Sequence, residues 1–273
     1  MSFLQQIKAY LRNTPLYRPL KTLGALAGYG SYGLPFAHTI AAEPFLERAM
    51  ARLGPPSLDG KNSEFYSYFS EIWGDGYEKT LYDQYAAYLP YIAHLRRGVF
   101  LDIGCGAGEF VAFLRDHGIL AEGIDRETRE VERAQALGRV VQQDDAISYL
   151  GTIEKSFTGI SMLEVIEHLT PEEIDELIPL IFQRLAPGGV FLVETINIKH
   201  PLAFHVFYTD PTHRRPLSSD WLTFLLQWHG FINLQIIYTS PLAVTLAESH
   251  DPSRAYFIYA IVARKPDEPG VTP

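Results

Sequence analysis

The ten residues Leu101-Asp102-Ile103-Gly104-Cys105-Gly106-Ala107-Gly108-Glu109-Phe110 constrain the fold more than any other stretch. Apolar Val99–Ile103 reads as a buried strand, and Glu109–His117 reads as a helix. Three glycines join them within five positions, so the backbone turns tightly and leaves room for a close approach from outside. A strand that passes through glycines directly into a helix is the first half of a βαβ unit, and such units build parallel sheets.

The pattern continues downstream. Leu120–Ile124, Arg139–Gln142, Gly159–Leu163 and Val190–Thr195 read as further strands, with Pro187–Gly189 as a turn before the last. Glu127–Leu137, Pro171–Leu185 and Asp220–Trp228 read as helices, with Gly138 and Gly230 at two C-terminal ends and Pro171 in a first turn. Ile232–Tyr238 and Ala255–Val262 close the chain as late strands. The expected fold is α/β: a Rossmann-like doubly wound sheet, mostly parallel, with an antiparallel strand near the C-terminus and a helical N-terminal extension. At 273 residues and 47% hydrophobic, the chain has enough apolar material for one such domain. The expected divisions are an extension over 1–61, the main domain over 62–265 and a polar tail over 266–273.

Charge separates the first segment from the rest. Residues 1–42 hold Lys8, Arg12, Arg18 and Lys21 with no acid, whereas the whole chain carries −9. Phe3, Leu4, Ile7, Tyr10 and Leu11 recur at helical spacing beside those cations. This segment is expected to dock on the chain's own acidic domain. The alternative is a peripheral contact with the inner membrane face or a membrane glycosyltransferase. Residues 22–42 are uncharged but rich in glycine, which argues against a membrane span. No secretory pattern stands at the start, and a single cysteine, Cys105, precludes an internal disulfide. The expected location is therefore cytoplasmic. The acidic balance argues against a nucleic-acid partner. Between Asn62 and Arg97, Tyr82, Tyr85, Tyr88 and Tyr91 recur every third residue and spread over one broad helix side.

The glycine loop is not a pyrophosphate loop. The dinucleotide fingerprint needs a sixth-place glycine, and Glu109 stands there, an acid at a helix N-terminus where a phosphate would be repelled. Gly104, Gly106 and Gly108 instead follow Asp102 by a G-x-G-x-G spacing, with Cys105 inside the loop. Asp125, followed by Arg126, ends the second strand, where a carboxylate can accept two ribose hydroxyls. Asp145-Ala146 follows the third strand. Asp145 can accept an adenine amino group while Ala146 offers a backbone N–H, although a strand-end Asp is as often a helix cap. These acids at three successive strand ends resemble the class I S-adenosylmethionine-dependent methyltransferase family, from about Val99 to Arg264. The resemblance implies S-adenosylmethionine as cofactor, held by Asp102, Gly104, Cys105, Gly106, Gly108, Asp125, Arg126, Asp145, Ala146 and Glu164. An acidic lip suits its ammonium and sulfonium charges.

Two later motifs suggest the acceptor side. If Glu164-Val165-Ile166-Glu167-His168 forms a helical turn, Glu164, Glu167 and His168 share one face. They can act as a base and its orienter, or with His213 they can hold a divalent ion. In Phe207–Pro216, His213 is a candidate base, and Tyr208, Arg214 and Arg215 are candidate acceptor contacts, the arginines as a phosphate or carboxylate clamp. The run from Phe65-Tyr66 to Tyr208–Pro216 resembles O-antigen chain-terminating methyltransferases of bacterial surface-polysaccharide clusters. Trp73-Gly74 departs from that family's Arg-Gly pair. The Glu-x-x-Glu-His pattern is also similar to ubiquinone-pathway and small-RNA 2′-O-methyltransferases, which implies Mg2+ at Glu164, Glu167, His168 and His213. The expected activity is O-methylation of a sugar or sugar phosphate, with His168, Glu167 and His213 catalytic. The alternatives are a quinone, lipid or phenol acceptor, or a non-catalytic cofactor-binding partner of a glycosyltransferase.

Overall fold

The computed structural model describes residues 45–55, 68, 77–241 and 251–267. The basic segment 1–42, Trp73-Gly74 and the tail beyond 267 lie outside the described residues. Helices α1 (Phe45–Leu53), α2 (Tyr77–Ala86) and α3 (Leu89–Ile92) precede the sheet. Then β1 (Phe100–Ile103), α4 (Glu109–Asp116), β2 (Ala121–Asp125), α5 (Thr128–Ala136), β3 (Val141–Gln143), α6 (Ala146–Thr152) and β4 (Phe157–Leu163) alternate. After β4 come a 3-10 turn (Ile166–His168), α7 (Pro171–Arg184), β5 (Leu185–Ile196), α8 (Ala203–Phe207), α9 (Ser219–Trp228), β6 (Ile232–Pro241) and β7 (Tyr256–Arg264).

The seven strands lie in the order β3-β2-β1-β4-β5-β7-β6. The first five are parallel, and β7 runs antiparallel between β5 and β6. The sequence order leaps from β3 to β4 across β1, so the C-terminal ends of β1 and β4 form a switch point, where open α/β sheets bind ligands. All four residues of β1 are buried, as a central parallel strand covered on both faces requires. Leu101 and Ile103 pack on one side with Ile174, Leu177 and Leu222. Phe100 packs on the other with Phe110, Phe113 and Tyr88. Each such fully buried side chain contributes roughly 1.5–3 kcal/mol relative to exposure.

Local signals explain most boundaries. Thr170 and Glu173 form a reciprocal capping box at the start of α7, with Pro171 at the first position. Gly138 ends the α5 region in the left-handed conformation, at φ 72°. Three features differ from the sequence reading. The helix-cap alternative for Asp145 holds, and the short helix it caps, α6, was not among the expected elements. The Pro187–Gly189 turn is absorbed into a longer β5, whose pairing with β4 shifts register between Phe157 and Gly159. The Asn197–Pro216 connection is not irregular throughout, because it contains α8.

Candidate active site at the carboxyl ends of the strands

The glycine loop hangs from two strand ends. The amides of Gly104 and Cys105 donate to the Ile124 carbonyl at 2.8 and 3.1 Å, tying the loop to the tip of β2. Gly106 has φ 52°, a conformation other residues adopt at a cost, and a methyl group on its Cα would meet nothing within 4 Å. Its outer face is therefore open. The Asp125 carboxylate accepts from the Gly106 amide and the Glu127 amide, both at 2.8 Å. Each oxygen keeps a further lone pair for a ribose hydroxyl. Asp102 lies buried beneath the loop and accepts from the Ser161 hydroxyl at 2.6 Å. Burial pushes its carboxyl up to about 7, against the pull of Ser161. Glu109 is occupied by Arg139 at 3.0 Å. An open glycine cradle lined by Asp102, Glu109 and Asp125 fits a cationic nucleoside ligand such as S-adenosylmethionine.

The remaining expected cofactor residues take varied positions. The Asp145 carboxylate accepts from the Ile147 and Ser148 amides, both at 3.1 Å, as the cap of α6. Ala146 is the first residue of that helix. Arg126 is mostly exposed and lies 3.9 Å from Glu127. The Cys105 thiol is buried, and burial raises its pKa far above that of a free thiol. Glu164 sits in the left-handed region at φ 54°, an unusual conformation for a side-chain-bearing residue, directly after β4.

Beyond Glu164 opens a cavity of about 740 Å3. Its walls come from α2 and the turn after it (Asp83, Gln84, Ala87), the 3-10 turn (Glu167, His168), α8 with its flanks (Leu202, Val206, Asp210, His213) and the tips of β5, β6 and β7. Leu202, Val206, Ile196, Phe257 and Ile258 make much of it apolar. Among the described residues, no lysine or arginine lines it. Glu167 is fully buried, with neither carboxylate oxygen in a hydrogen bond among the described residues. Burial, reinforced by the charge of Glu164, holds its carboxyl well above the usual range. Glu194 is likewise raised by burial and Glu164, and Tyr88 donates to it.

The geometry corrects two expectations. The Glu164–His168 segment is no α-helical turn, because Glu164 is left-handed and Ile166–His168 is a 3-10 turn. The compact group of ligand-type atoms is therefore His168, Asp210 and His213, all within 4.8 Å of one another, without Glu164 or Glu167. Two imidazoles and one carboxylate do not fit magnesium, which prefers an all-oxygen shell. Nor do the arginines form a clamp in the cavity. The Arg215 guanidinium lies over the Trp221 ring at 4.3 Å, and neither Arg214 nor Arg215 is part of the cavity wall. Tyr208 is 71% exposed and is not part of the cavity wall. Asp210 and Thr212 were absent from the sequence-level candidates, although Asp-x-Thr is a familiar turn signature.

Fold and glycine-loop site together define a class I S-adenosylmethionine-dependent methyltransferase domain. A family model described as a methyltransferase domain matches residues 77–236, and the chain belongs to that family. A solved S-adenosylmethionine-dependent methyltransferase from Archaeoglobus fulgidus aligns with a TM-score of 0.65 at 26% identity, covering 73% of this chain and 100% of that one. A Rickettsia typhi ubiquinone biosynthesis O-methyltransferase is 32% identical over 103 residues, 36% of this chain and 40% of the relative. A protein of Mycolicibacterium smegmatis named as a probable S-adenosylmethionine-dependent methyltransferase is 30% identical over 132 residues, 48% of this chain and 51% of the relative. The chain thus spans about half or less of these curated relatives' length. The expected polysaccharide subtype draws no support from them.

Proposed function

We propose that the protein transfers a methyl group from S-adenosylmethionine to the hydroxyl oxygen of an uncharged, largely apolar acceptor of the phenol or quinol type. The observation that carries this reading is the cavity beside the cofactor loop, apolar over much of its wall and, among the described residues, free of lysine and arginine. Among the described residues a sugar phosphate would meet no lysine or arginine and would face Asp83, Glu164 and Asp210, which disfavours the anion. The partial similarity to ubiquinone-pathway O-methyltransferases supports the same choice.

When bound, the cofactor supplies an electrophilic methyl group on a sulfonium. The chain's part is mainly alignment and proton removal. Asp125 and the Gly104–Gly108 backbone orient the nucleoside. The apolar wall excludes water and holds the acceptor body. His168 and His213, with rings 4.6 Å apart, face the cavity as proton acceptors. Burial and the neighbouring His213 lower the pKa of His168, so that ring stays neutral near pH 7.

Calorimetric titration with S-adenosylhomocysteine, followed by an acceptor screen, tests the proposal. Binding should weaken roughly 10–100-fold in Asp125→Ala, the range for hydrogen bonds to a charged group. Turnover is expected with phenols or quinols and not with sugar phosphates. The reverse acceptor preference would refute the reading.

A further inference from the structure

The Asp210–His213 turn holds a set of protons that can be assigned one by one. His213 Nδ1 lies 2.7 Å from the Phe207 carbonyl. A carbonyl only accepts, so Nδ1 carries the ring proton and Nε2 is the basic nitrogen of the neutral ring. Phe207 packs against the same ring with centroids 4.7 Å apart, fixing its plane. Nε2 lies 4.0 Å from Asp210 Oδ2. Asp210 is 5% exposed, and its Oδ1 accepts from the Thr212 amide at 2.8 Å and the Thr212 hydroxyl at 2.6 Å. That hydroxyl has one proton and gives it to Asp210. Its 2.8 Å contact with His168 Nδ1 is therefore one in which His168 donates. One carboxylate thus has one oxygen locked into the turn and the other aimed at the basic nitrogen of His213.

We propose that Asp210 is the positioning and charge-balancing residue of this site, acting through His213 as the base. The inference rests on the hydroxyl-acceptor reading above. As the acceptor oxygen takes the methyl group, an O–C bond forms and the C–S bond breaks, leaving its electron pair on sulfur. The hydroxyl proton passes to His213 Nε2. Positive charge therefore moves from the sulfonium to the imidazolium, and a buried carboxylate 4.0 Å away receives it. This interaction is stronger after the proton moves than before, which is the kind that accelerates a reaction rather than merely binding substrate. The other titratable groups around the pair do not compete. His168 is held neutral by burial, with Arg126 lowering it further, and Glu167 is held toward its protonated form by burial and by Glu164.

The test is steady-state kinetics on Asp210→Asn and Thr212→Val with a phenolic acceptor found in the screen. Melting temperature and S-adenosylhomocysteine affinity serve as folding controls. Asp210→Asn should lose roughly 10²-fold or more in kcat with KM little changed, within the range for disabling a general base. Thr212→Val, which removes the hydroxyl donor to Asp210 and keeps the amide donor, should lose less, and Thr212→Ser should regain the wild-type rate. Added formate should partly restore Asp210→Ala and leave His213→Ala inactive, an outcome that loss of a structural strut would not give. Folded Asp210→Asn with kcat within about threefold of wild type would overturn the proposal while the acceptor reading stands. Wild-type turnover abolished by EDTA and restored by a divalent ion would overturn it too, assigning these atoms to an ion. A wild-type protein that binds cofactor but methylates no phenol or quinol would refute the acceptor reading and the role of Asp210 together.

Discussion

At Asp102, burial and a single hydroxyl pull in opposite directions. Folding into the β1 core raises the carboxyl to about 7, and the 2.6 Å bond from Ser161 lowers it. A carboxyl raised above its unfolded value stabilises the fold below the unfolded pKa. That contribution is lost as pH rises through about 7, when the ligand-free protein must bury a charge. A cationic cofactor favours the ionised form, so its binding releases a proton and its affinity should rise as pH passes through about 7. Ser161→Ala removes the lowering bond and should move that midpoint to higher pH. Calorimetry with S-adenosylmethionine between pH 5.5 and 9 in roughly half-unit steps checks this, and an unmoved midpoint in the variant would show that Ser161 has no such role. Residues of this kind are legible in sequence because they sit at fixed offsets from a glycine loop. Asp210 was harder to see, since its importance depends on His168 and His213, the first brought to it from 42 positions away by the β4 exit.

Elements were read well where packing and local signals agree. The central strands β1 and β4 are apolar runs, α4 and α5 carry amphipathic patterns, and α7 and α9 add side-chain caps, so sequence placed each of these to within a few residues. Elements missed were short or lacked a periodic face. Ala146–Thr152 spans seven residues and contains Gly151, and Ala203–Phe207 spans only five; neither length supports a periodicity argument. The cavity walls were invisible for another reason. Asp83 and Gln84 meet the tips of β6 and β7 only through the sheet order, which no local pattern encodes. Capping offers a test at this scale. Thr170→Ala removes one half of the box at α7 and should cost about 1 kcal/mol. The urea midpoint should fall accordingly with cofactor affinity unchanged; an unchanged midpoint would mean that the cap contributes nothing net.

For the molecule as a whole, the antiparallel β6–β7 pair joins the cavity to the sheet that carries the cofactor loop. Ile261 is fully buried in β7 and pairs with Val193 on one side and Ile236 on the other. Ile261→Ala should therefore lower stability by about 2–5 kcal/mol. It should do so in one cooperative transition, with cofactor binding and the circular-dichroism signal lost together; separate transitions would show that the two halves of the site fold independently. The fold also has a practical consequence at Cys105. It is the chain's sole cysteine, and a methyl group on neighbouring Gly123 would sit 2.5 Å from its sulfur, so the thiol is walled in by β2. With its reactive thiolate form suppressed by burial as well, the native chain offers almost no background to maleimide dyes. A cysteine introduced at exposed Tyr208 or Phe224 would become a single optical reporter, and ligand arrival could then be followed in real time without removing the natural thiol.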